Sequence, residues 1–344
     1  MLSDNISKVI IIFFTIIIFV QGSTQDLNNN LKFLNLPKPS IDFKQIKSVE
    51  AHYSFIEFIS ILENGNIITA SKDSTLKEWK TNEDFKLFHE ITAKEKDHSF
   101  TSIVELGAGL LAVSAYQRIR VFDTNNSYKI LKTVAAHTGL IQSMIKLKNG
   151  LIVSSSDDKT IKIWDPTDNF KLIQTLSDHT ASVHDLLEMS GDVLISASYD
   201  KTIKFWKKLD SNDQKYTLIK SLDQMAFSMA DVNGNLAYAT NSSSNFDIEL
   251  MNISDFTVKG AFKGHSKGVT LMKVLSSGFL ASLSPQDGLM KIWNVRTFAE
   301  ENTLKTQEGS GIKTFSELNN GHIVTGGYGV FTIWSNSVNS EYEY

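Results

Sequence analysis

Four histidines are each followed, at fixed distances, by a serine, an aspartate and a tryptophan. Counted from the aspartate, the histidine lies 21 residues back, the serine two back and the tryptophan six ahead, and the fourth set has one inserted residue at Pro285. The sets are His52, Ser71, Asp73 and Trp79; His137, Ser156, Asp158 and Trp164; His179, Ser198, Asp200 and Trp206; and His265, Ser284, Asp287 and Trp293. Histidine, serine and aspartate form the triad of many hydrolases, and histidine with aspartate also binds metal ions.

The repetition argues against both chemistries. No copy of the set contains the Gly-x-Ser-x-Gly elbow or another context that would activate its serine. The four histidines fall in different repeats rather than at the ligand spacing of one motif, which disfavours a metal site. We therefore predict that the sets are structural, with no catalytic residue, no metal and no cofactor.

Composition excludes further classes of function. The 344 residues include no cysteine, which rules out disulfides, thiolate metal sites and a cysteine nucleophile. The formal net charge is -4 and no block of lysine or arginine is present to follow a phosphate backbone, so we predict no nucleic-acid partner. The run Gly326-Gly327-Tyr328-Gly329 lacks the lysine and the strand-to-helix context of a phosphate loop, which favours a turn.

The four sets belong to a longer repeat. The stretch from Ser154 to Asp165 has the pattern of a strand, a tight Asp-Lys turn and a second strand closed by a tryptophan. The closing position recurs at Trp79, Phe122, Trp164, Trp206, Met251, Trp293 and Trp334, with gaps of 43, 42, 42, 45, 42 and 41 residues. Each unit has four short strand patterns separated by turn signals, and no stretch after residue 22 has sustained helical periodicity. The pattern predicts an all-β fold, a seven-bladed β-propeller of four-stranded antiparallel blades.

The last repeat is one strand short. Only ten residues follow Trp334, of which 337–344 are predicted to be a C-terminal tail that is frayed at Tyr342-Glu343-Tyr344. Residues 43–49 resemble the outer strand pattern of the third repeat, 171–176. We therefore predict a propeller over 43–336 in which an N-terminal strand completes the last blade, so that no blade is left incomplete.

With these motifs in view, the sequence resembles the WD-repeat β-propellers over residues 43–336. The family's opening Gly-His corresponds to Ala51-His52, Ala136-His137, Asp178-His179 and Gly264-His265, and its closing Trp-Asp is complete only at Trp164-Asp165. The resemblance implies that each histidine set is a hydrogen-bonded network that ties a loop to its blade, which fits the need of buried polar groups for partners. Blades two, five and seven lack the set, having Tyr116, Asn245 and Tyr328 near the aspartate position, and are expected to be less regular.

The resemblance also implies a binding surface, on the rim of the channel at the face that carries the histidine loops, here called the His-loop face. In the family this rim is formed by residues three and five after each histidine and by the residue before each turn aspartate. The corresponding residues are Phe55, Glu57 and Lys72; Leu140, Gln142 and Asp157; Ser182, His184 and Tyr199; and Thr270 and Gln286. Aromatic and apolar side chains mixed with single charges favour a protein or peptide partner. His184 is expected to titrate near neutral pH.

The primary hypothesis is thus a monomeric, non-catalytic interaction scaffold, and two alternatives remain. One is a propeller enzyme of the hydrolase or lactonase type, with a metal or substrate in the channel near Glu57, Asp157 and His184. The other is a substrate receptor of a ubiquitin ligase, which would require an N-terminal adaptor module and a cytosolic location.

The N-terminus predicts entry into the secretory pathway. Residues 9–20 are uncharged and apolar, follow Lys8 and precede Gly22, which is the pattern of a signal peptide over 1–22. Twelve helical residues span about 18 Å, short of a bilayer core. Residues 23–42 are predicted to be a polar linker. An uncleaved membrane anchor and a cytoplasmic protein are the alternatives, since a secreted protein without disulfides is unusual. Sequons at Asn125, Asn241 and Asn252 permit glycosylation.

Overall fold

The computed structural model describes residues 43–92, 100–208, 215–240, 246–305 and 311–336. The predicted signal peptide (1–22), the linker (23–42), Asn241, Asn245 and the tail (337–344) lie outside the described residues. Regular structure in the described part is β-strand, apart from short 3-10 turns at Thr81–Glu83 and Thr124–Asn126. None of these residues forms a helix long and apolar enough to cross a bilayer.

The described residues form 27 strands, which make seven four-stranded antiparallel blades. Within blades one to six, chain order is also the order from the channel outward. Blade one consists of the second half of β1 (Phe43–Ile61), β2 (Ile67–Ser71), β3 (Thr75–Lys80) and β4 (Lys86–Thr92). Blade two consists of β5 (Ile103–Gly107), β6 (Leu110–Ala115), β7 (Arg118–Asp123) and β8 (Lys129–Ala135), and blade three of β9 (Ile141–Lys146), β10 (Ile152–Ser156), β11 (Ile161–Asp165) and β12 (Lys171–Leu176). Blade four consists of β13 (Val183–Met189), β14 (Val193–Ser198), β15 (Ile203–Lys208) and β16 (Tyr216–Leu222), and blade five of β17 (Ala226–Val232), β18 (Asn235–Thr240), β19 (Ile248–Asn252) and β20 (Val258–Phe262). Blade six consists of β21 (Leu271–Val274), β22 (Leu280–Ser284), β23 (Leu289–Trp293) and β24 (Glu300–Lys305), and blade seven of β25 (Thr314–Glu317), β26 (Ile323–Gly326), β27 (Tyr328–Asn336) and the first half of β1.

One long strand closes the ring. The first half of β1 pairs with β27 of blade seven, where Val49 lies opposite Phe331, and its second half pairs with β2 of blade one, where Ile59 lies opposite Thr69. The pairing with β27 is interrupted between Glu50 and Phe55, where the chain passes from one blade to the next. The predicted fold class, including closure by an N-terminal strand, is confirmed.

The core lies between blades. Seven hydrophobic clusters occupy the seven contacts between neighbouring blades, and the closing cluster joins Ile59 and Trp79 of blade one to Phe331 and Ile333 of blade seven. Middle strands such as β2 and β10 are packed on both faces and are therefore buried along their whole length, which is why they lack a polar alternation. The described blades two, five and seven each have four strands like the others, and their lower regularity stays a prediction.

Candidate functional site

The histidine sets form chains of hydrogen bonds beneath the His-loop face. In blade three, His137 Nδ1 lies 2.9 Å from the Asp158 carboxylate, and its Nε2 lies 2.8 Å from Ser154 Oγ. The Trp164 indole N–H donates to the same hydroxyl oxygen over 2.9 Å. With a neutral imidazole that donates from Nδ1, each of these groups has a partner. Blades one, four and six repeat the arrangement around Thr69, Ser196 and Ser282.

The hydroxyl group that joins histidine to tryptophan in each of these hydrogen-bonded sets is not the one predicted from the sequence. The prediction named Ser71, Ser156, Ser198 and Ser284, but the linking residue lies two positions earlier. The reason is register: Trp164 lies opposite Ile152, so its indole reaches the diagonal neighbour, Ser154, and not a residue two further along.

The predicted serines have other roles at the turns. The Oγ atoms of Ser71, Ser156 and Ser198 each accept the backbone N–H of the turn aspartate two residues later, over 3.1 Å. Ser284 Oγ is buried without a hydrogen-bond partner among the described residues. Three of the four therefore stabilise the turn, and none joins histidine to tryptophan.

The pKa values of the paired histidines and aspartates support a structural role for these sets. Burial lowers the pKa of His52, His137, His179 and His265 below the ordinary 6.5, although each paired aspartate acts in the opposite direction. Burial alone would raise the pKa of Asp158, but hydrogen bonds from Thr160 and from the Thr138 N–H outweigh it and bring that pKa to about 2. Near neutral pH each pair is thus a neutral imidazole that donates to a carboxylate, and the imidazoles are buried.

Two layers of side chains surround the channel at the His-loop face. Every blade contributes one residue to each layer, and the cavity that the two layers line has a volume of about 240 Å³. The upper layer is Glu57, Thr101, Gln142, His184, Phe227, Thr270 and Lys313. The lower layer is Phe58, Ser102, Ser143, Asp185, Ser228, Leu271 and Thr314. The sevenfold contribution identifies this cavity as the central channel.

The upper layer contains some predicted rim residues and three that the sequence did not reveal. Those predicted are Glu57, Gln142, His184 and Thr270. Those missed are Thr101, Phe227 and Lys313, which belong to blades two, five and seven. These blades lack the histidine from which the prediction was counted. Counting back 21 to 24 residues from the closing positions, which every blade has, would have found them.

The other predicted rim residues lie beside the upper layer, in the histidine loops and the turns. In three blades a backbone N–H of the turn donates to a carbonyl of the loop and holds the two segments together. The donor and acceptor residues are Lys72 and Phe55 (3.0 Å), Asp157 and Leu140 (2.9 Å), and Tyr199 and Ser182 (3.0 Å). Gln286 is exposed in the turn of blade six.

Where blades seven and one meet, the rim is basic and aromatic. The Phe55 ring packs edge-on against Tyr328, with centroids 5.0 Å apart, and Lys313 Nζ lies 4.3 Å from the Phe55 centroid. Glu57 lies between two cations, 3.3 Å from Lys313 Nζ and 3.6 Å from Lys72 Nζ. One carboxylate thus serves two lysines, which leaves this part of the rim with a net positive charge.

Blades four and five form a second aromatic cluster, next to polar residues of blade three. His184 packs against Tyr199 and Phe227, with ring centroids 4.5 and 5.6 Å apart. Asp157, nearby, accepts hydrogen bonds from Gln142 and Ser182. His184 Nε2 donates to the Ala226 carbonyl over 2.6 Å, and burial lowers the pKa of His184 below 6.5. Burial therefore favours the neutral form of His184 and moves its pKa in the acidic direction from the ordinary value on which the sequence-based expectation rested.

The exposed tyrosines share one face. In the described part of the chain, four tyrosines are exposed, and all lie at the His-loop face: Tyr116 (44%) and Tyr199 (48%) in turns, Tyr53 (89%) within β1 where it passes between blades, and Tyr328 (53%) at the start of β27. Exposed aliphatic side chains lie mainly on outer strands, for example Leu131 in β8, Leu172 in β12 and Val258 in β20, with Val274 at the end of the inner strand β21 as an exception. The face that surrounds the channel mouth is thus chemically distinct from the circumference of the ring.

Comparison with known proteins agrees with this geometry. The family described as WD domain, G-beta repeat, matches residues 43–80, 128–165 and 170–207. Each match begins at the outer strand of one blade or just before it and ends at the third strand of the next. The crystal structure of the WD40 β-propeller domain of Doa1 matches with a TM-score of 0.73 and 21% identity, over 88% of this chain and 100% of that one. Among curated proteins no significant match is found. The chain therefore carries WD40 repeats and has the β-propeller fold of WD40 domains.

Proposed function

We propose that this chain is a non-catalytic scaffold that binds a protein or peptide on its His-loop face. WD40 propellers commonly act as platforms for protein interaction and are generally non-catalytic. The observation that carries the proposal is the set of exposed tyrosines on that face: Tyr53, Tyr116, Tyr199 and Tyr328. Tyrosine is enriched in protein interfaces because its ring adds contact area at a low cost in conformational entropy.

The hydrogen-bond chains beneath the face support this role. Asp73 accepts the backbone N–H of Tyr53 over 2.9 Å and also binds His52, so an exposed tyrosine is carried on a part of β1 that is fixed from below. A surface whose loops are already ordered loses less conformational entropy when it binds. The networks therefore act in binding indirectly, by holding the contact residues in place.

No observation favours the enzyme alternative. Its candidate groups have partners among their own neighbours: Glu57 has two lysines, and Asp157 has Gln142 and Ser182. His184 Nε2 donates to a backbone carbonyl, and its Nδ1 is buried without a hydrogen-bond partner among the described residues. Among the residues that the structure describes, no three histidine, aspartate or glutamate side chains converge as a metal site would require.

The test is peptide binding by a double variant, Tyr199→Ala with Tyr328→Ala. Peptides would be selected from a displayed random library on the immobilised wild-type protein, and their affinities measured by fluorescence anisotropy. Truncation of two central aromatic contacts is expected to weaken binding about 30-fold or more. Both tyrosines are about half exposed, so the free energy of unfolding should change by no more than about 1 kcal/mol.

A matched control carries Leu172→Ala with Val258→Ala, which removes exposed apolar side chains from outer strands. This control should retain wild-type affinity. Wild-type affinity in the tyrosine double variant, or an equal loss in the control, would show that the His-loop face is not the binding surface.

A further inference from the structure

Lys273 is a cation inside the channel without an anionic partner. It lies in β21 of blade six, and its side chain lines the cavity just below the two layers. Its ammonium group is 3.4 Å from Ser316 Oγ and 5.9 Å from the centre of the Phe315 ring, both in blade seven. Among the described residues no carboxylate lies within ion-pair distance of it, and burial alone lowers the pKa of Lys273 to about 8. The ammonium form therefore still predominates at pH 7.

Such a cation is costly in the free protein. A partly buried charge without a counterion loses part of its hydration, and one weak hydrogen bond to a hydroxyl does not restore it. An anion that enters the channel would recover part of this free energy, because the attraction between charges is strong where water is scarce.

The two carboxylates that line the channel, Glu57 and Asp185, have other partners and leave Lys273 available to bind an anion. Glu57 is engaged by Lys313 and Lys72 at the rim. Asp185 accepts the backbone N–H groups of Leu186 and Met229, the latter over 2.7 Å. Burial raises the pKa of Asp185 to about 7, so it opposes an incoming anion less than an ordinary aspartate would.

We propose that Lys273 binds a single carboxylate, which a peptide partner inserts into the channel from the His-loop face as the side chain of an aspartate or glutamate. This inference rests on the proposed function and names the chemistry of the partner. One unpaired ammonium group matches one negative charge. The hydroxyls of Thr270, Thr314 and Ser228 line the same cavity and provide further donors. Lys313 and Lys72, at the entrance, attract an acidic side chain to the channel mouth.

The test uses the full chain and two acetylated, amidated peptides, Ala-Ala-Glu-Ala-Ala and its glutamine analogue. Binding is followed by NMR through the ε-carbon signals of the lysines, and sodium acetate serves as the free carboxylate. The glutamate peptide should shift the Lys273 signal and raise the pKa of its ammonium group, and the glutamine peptide should not. In Lys273→Met, affinity for the glutamate peptide should fall at least tenfold.

The matched control is Lys259→Met, which removes an exposed lysine from the outer strand β20 and should leave affinity unchanged. The proposal is overturned if the glutamate peptide does not bind the wild-type protein, if it binds Lys273→Met equally well, or if the glutamine peptide binds as tightly. Acetate binding as tight as that of the peptide would mean that the ligand is a free anion. If peptides that depend on Tyr199 and Tyr328 bind Lys273→Met with wild-type affinity, the channel inference fails while the proposed function stands.

Discussion

Gly329 of the last blade approaches His52 of the first so closely that a β-carbon at position 329 would lie 2.7 Å from the His52 carbonyl oxygen. The backbone φ of Gly329 is +70°, a region that favours glycine. Two independent constraints therefore require glycine where the two ends of the ring meet, and ring closure explains the last glycine of the G-G-Y-G run.

Gly329→Ala should destabilise the protein by about 2–4 kcal/mol, because it adds a collision with backbone to the cost of a positive φ. The control is Gly288→Ala, since Gly288 also has a φ of +70° but has nothing within 4 Å of its β-carbon position. That variant should lose only about 1 kcal/mol. Chemical denaturation measures both, and equal losses would mean that the seam tolerates a side chain.

Ser154→Ala should cost about 2–3 kcal/mol, because it leaves both the Trp164 indole N–H and the His137 Nε2 atom without a hydrogen-bond partner. The neighbouring Ser155 provides the comparison. It is equally buried, but its hydroxyl has no hydrogen-bond partner in the described structure, so Ser155→Ala should be neutral or slightly stabilising. A larger loss for Ser155→Ala than for Ser154→Ala, in urea denaturation, would contradict the assigned network.

Asp185→Ser should stabilise the protein more at pH 8 than at pH 5. Burial raises the pKa of Asp185 from 3.8 to about 7, so the folded state holds a proton that the unfolded state has released, and stability falls as pH rises through that interval. Serine occupies the equivalent positions in blades two, three and five, and Ser228 there accepts a backbone N–H. At pH 8 the gain should be about 1–3 kcal/mol, since one pKa unit corresponds to about 1.4 kcal/mol and channel water reduces the effect.

Comparing the variant with the wild type at each pH removes the opposite contribution of the five histidines whose pKa burial lowers: His52, His137, His179, His184 and His265. Their lowered pKa values make both proteins lose stability as pH falls below 6.5. Thermal unfolding from pH 4 to pH 8 gives the difference directly, and a difference that does not change with pH would disprove the assignment to Asp185.

The leader should be removed when the chain is made in eukaryotic cells, and the mature protein should begin near Ser23 in the medium. Because β1 begins at Phe43, cleavage there leaves the closing strand intact. We expect glycosylation at Asn125, which is exposed, in preference to Asn252, which is partly buried with its side-chain oxygen bound to the Ser254 N–H. N-terminal sequencing and the mass change on deglycosylation, with Asn125→Gln as control, would show this. An intact Met1 in the cytosol would refute it.

Much of the fold could be predicted from the sequence because its signals are local. A closing aromatic such as Trp164, followed by turn residues at a period near 42, indicates a blade without knowledge of its neighbours. Closure was predictable because residues 43–49 have the pattern of an outer strand and the last repeat lacks one.

The site was less accessible because it depends on contacts between strands and between blades. Spacing from Asp158 does not distinguish Ser156 from Ser154, since the choice depends on which residue lies diagonal to Trp164 in the sheet. No motif around Lys273 distinguishes it from the other lysines in the sequence. Only the position of its strand at the channel shows that its ammonium group lies inside the ring.

Closure of the ring by its own N-terminal strand is the claim on which the His-loop face and the channel both depend, and an engineered disulfide tests it directly. Ser48 of β1 lies opposite Thr332 of β27, with their hydroxyl oxygens 3.3 Å apart, and the protein contains no cysteine. Ser48→Cys with Thr332→Cys should form one intramolecular disulfide that stabilises the protein by about 4–5 kcal/mol, because it closes a very long loop. Ser48→Cys with Thr303→Cys, on the outer strand of blade six, should form none. Intact mass and thermal unfolding with and without reductant measure both pairs: a disulfide only in the first confirms the closed ring, and its absence there, or equal oxidation of the two, contradicts it.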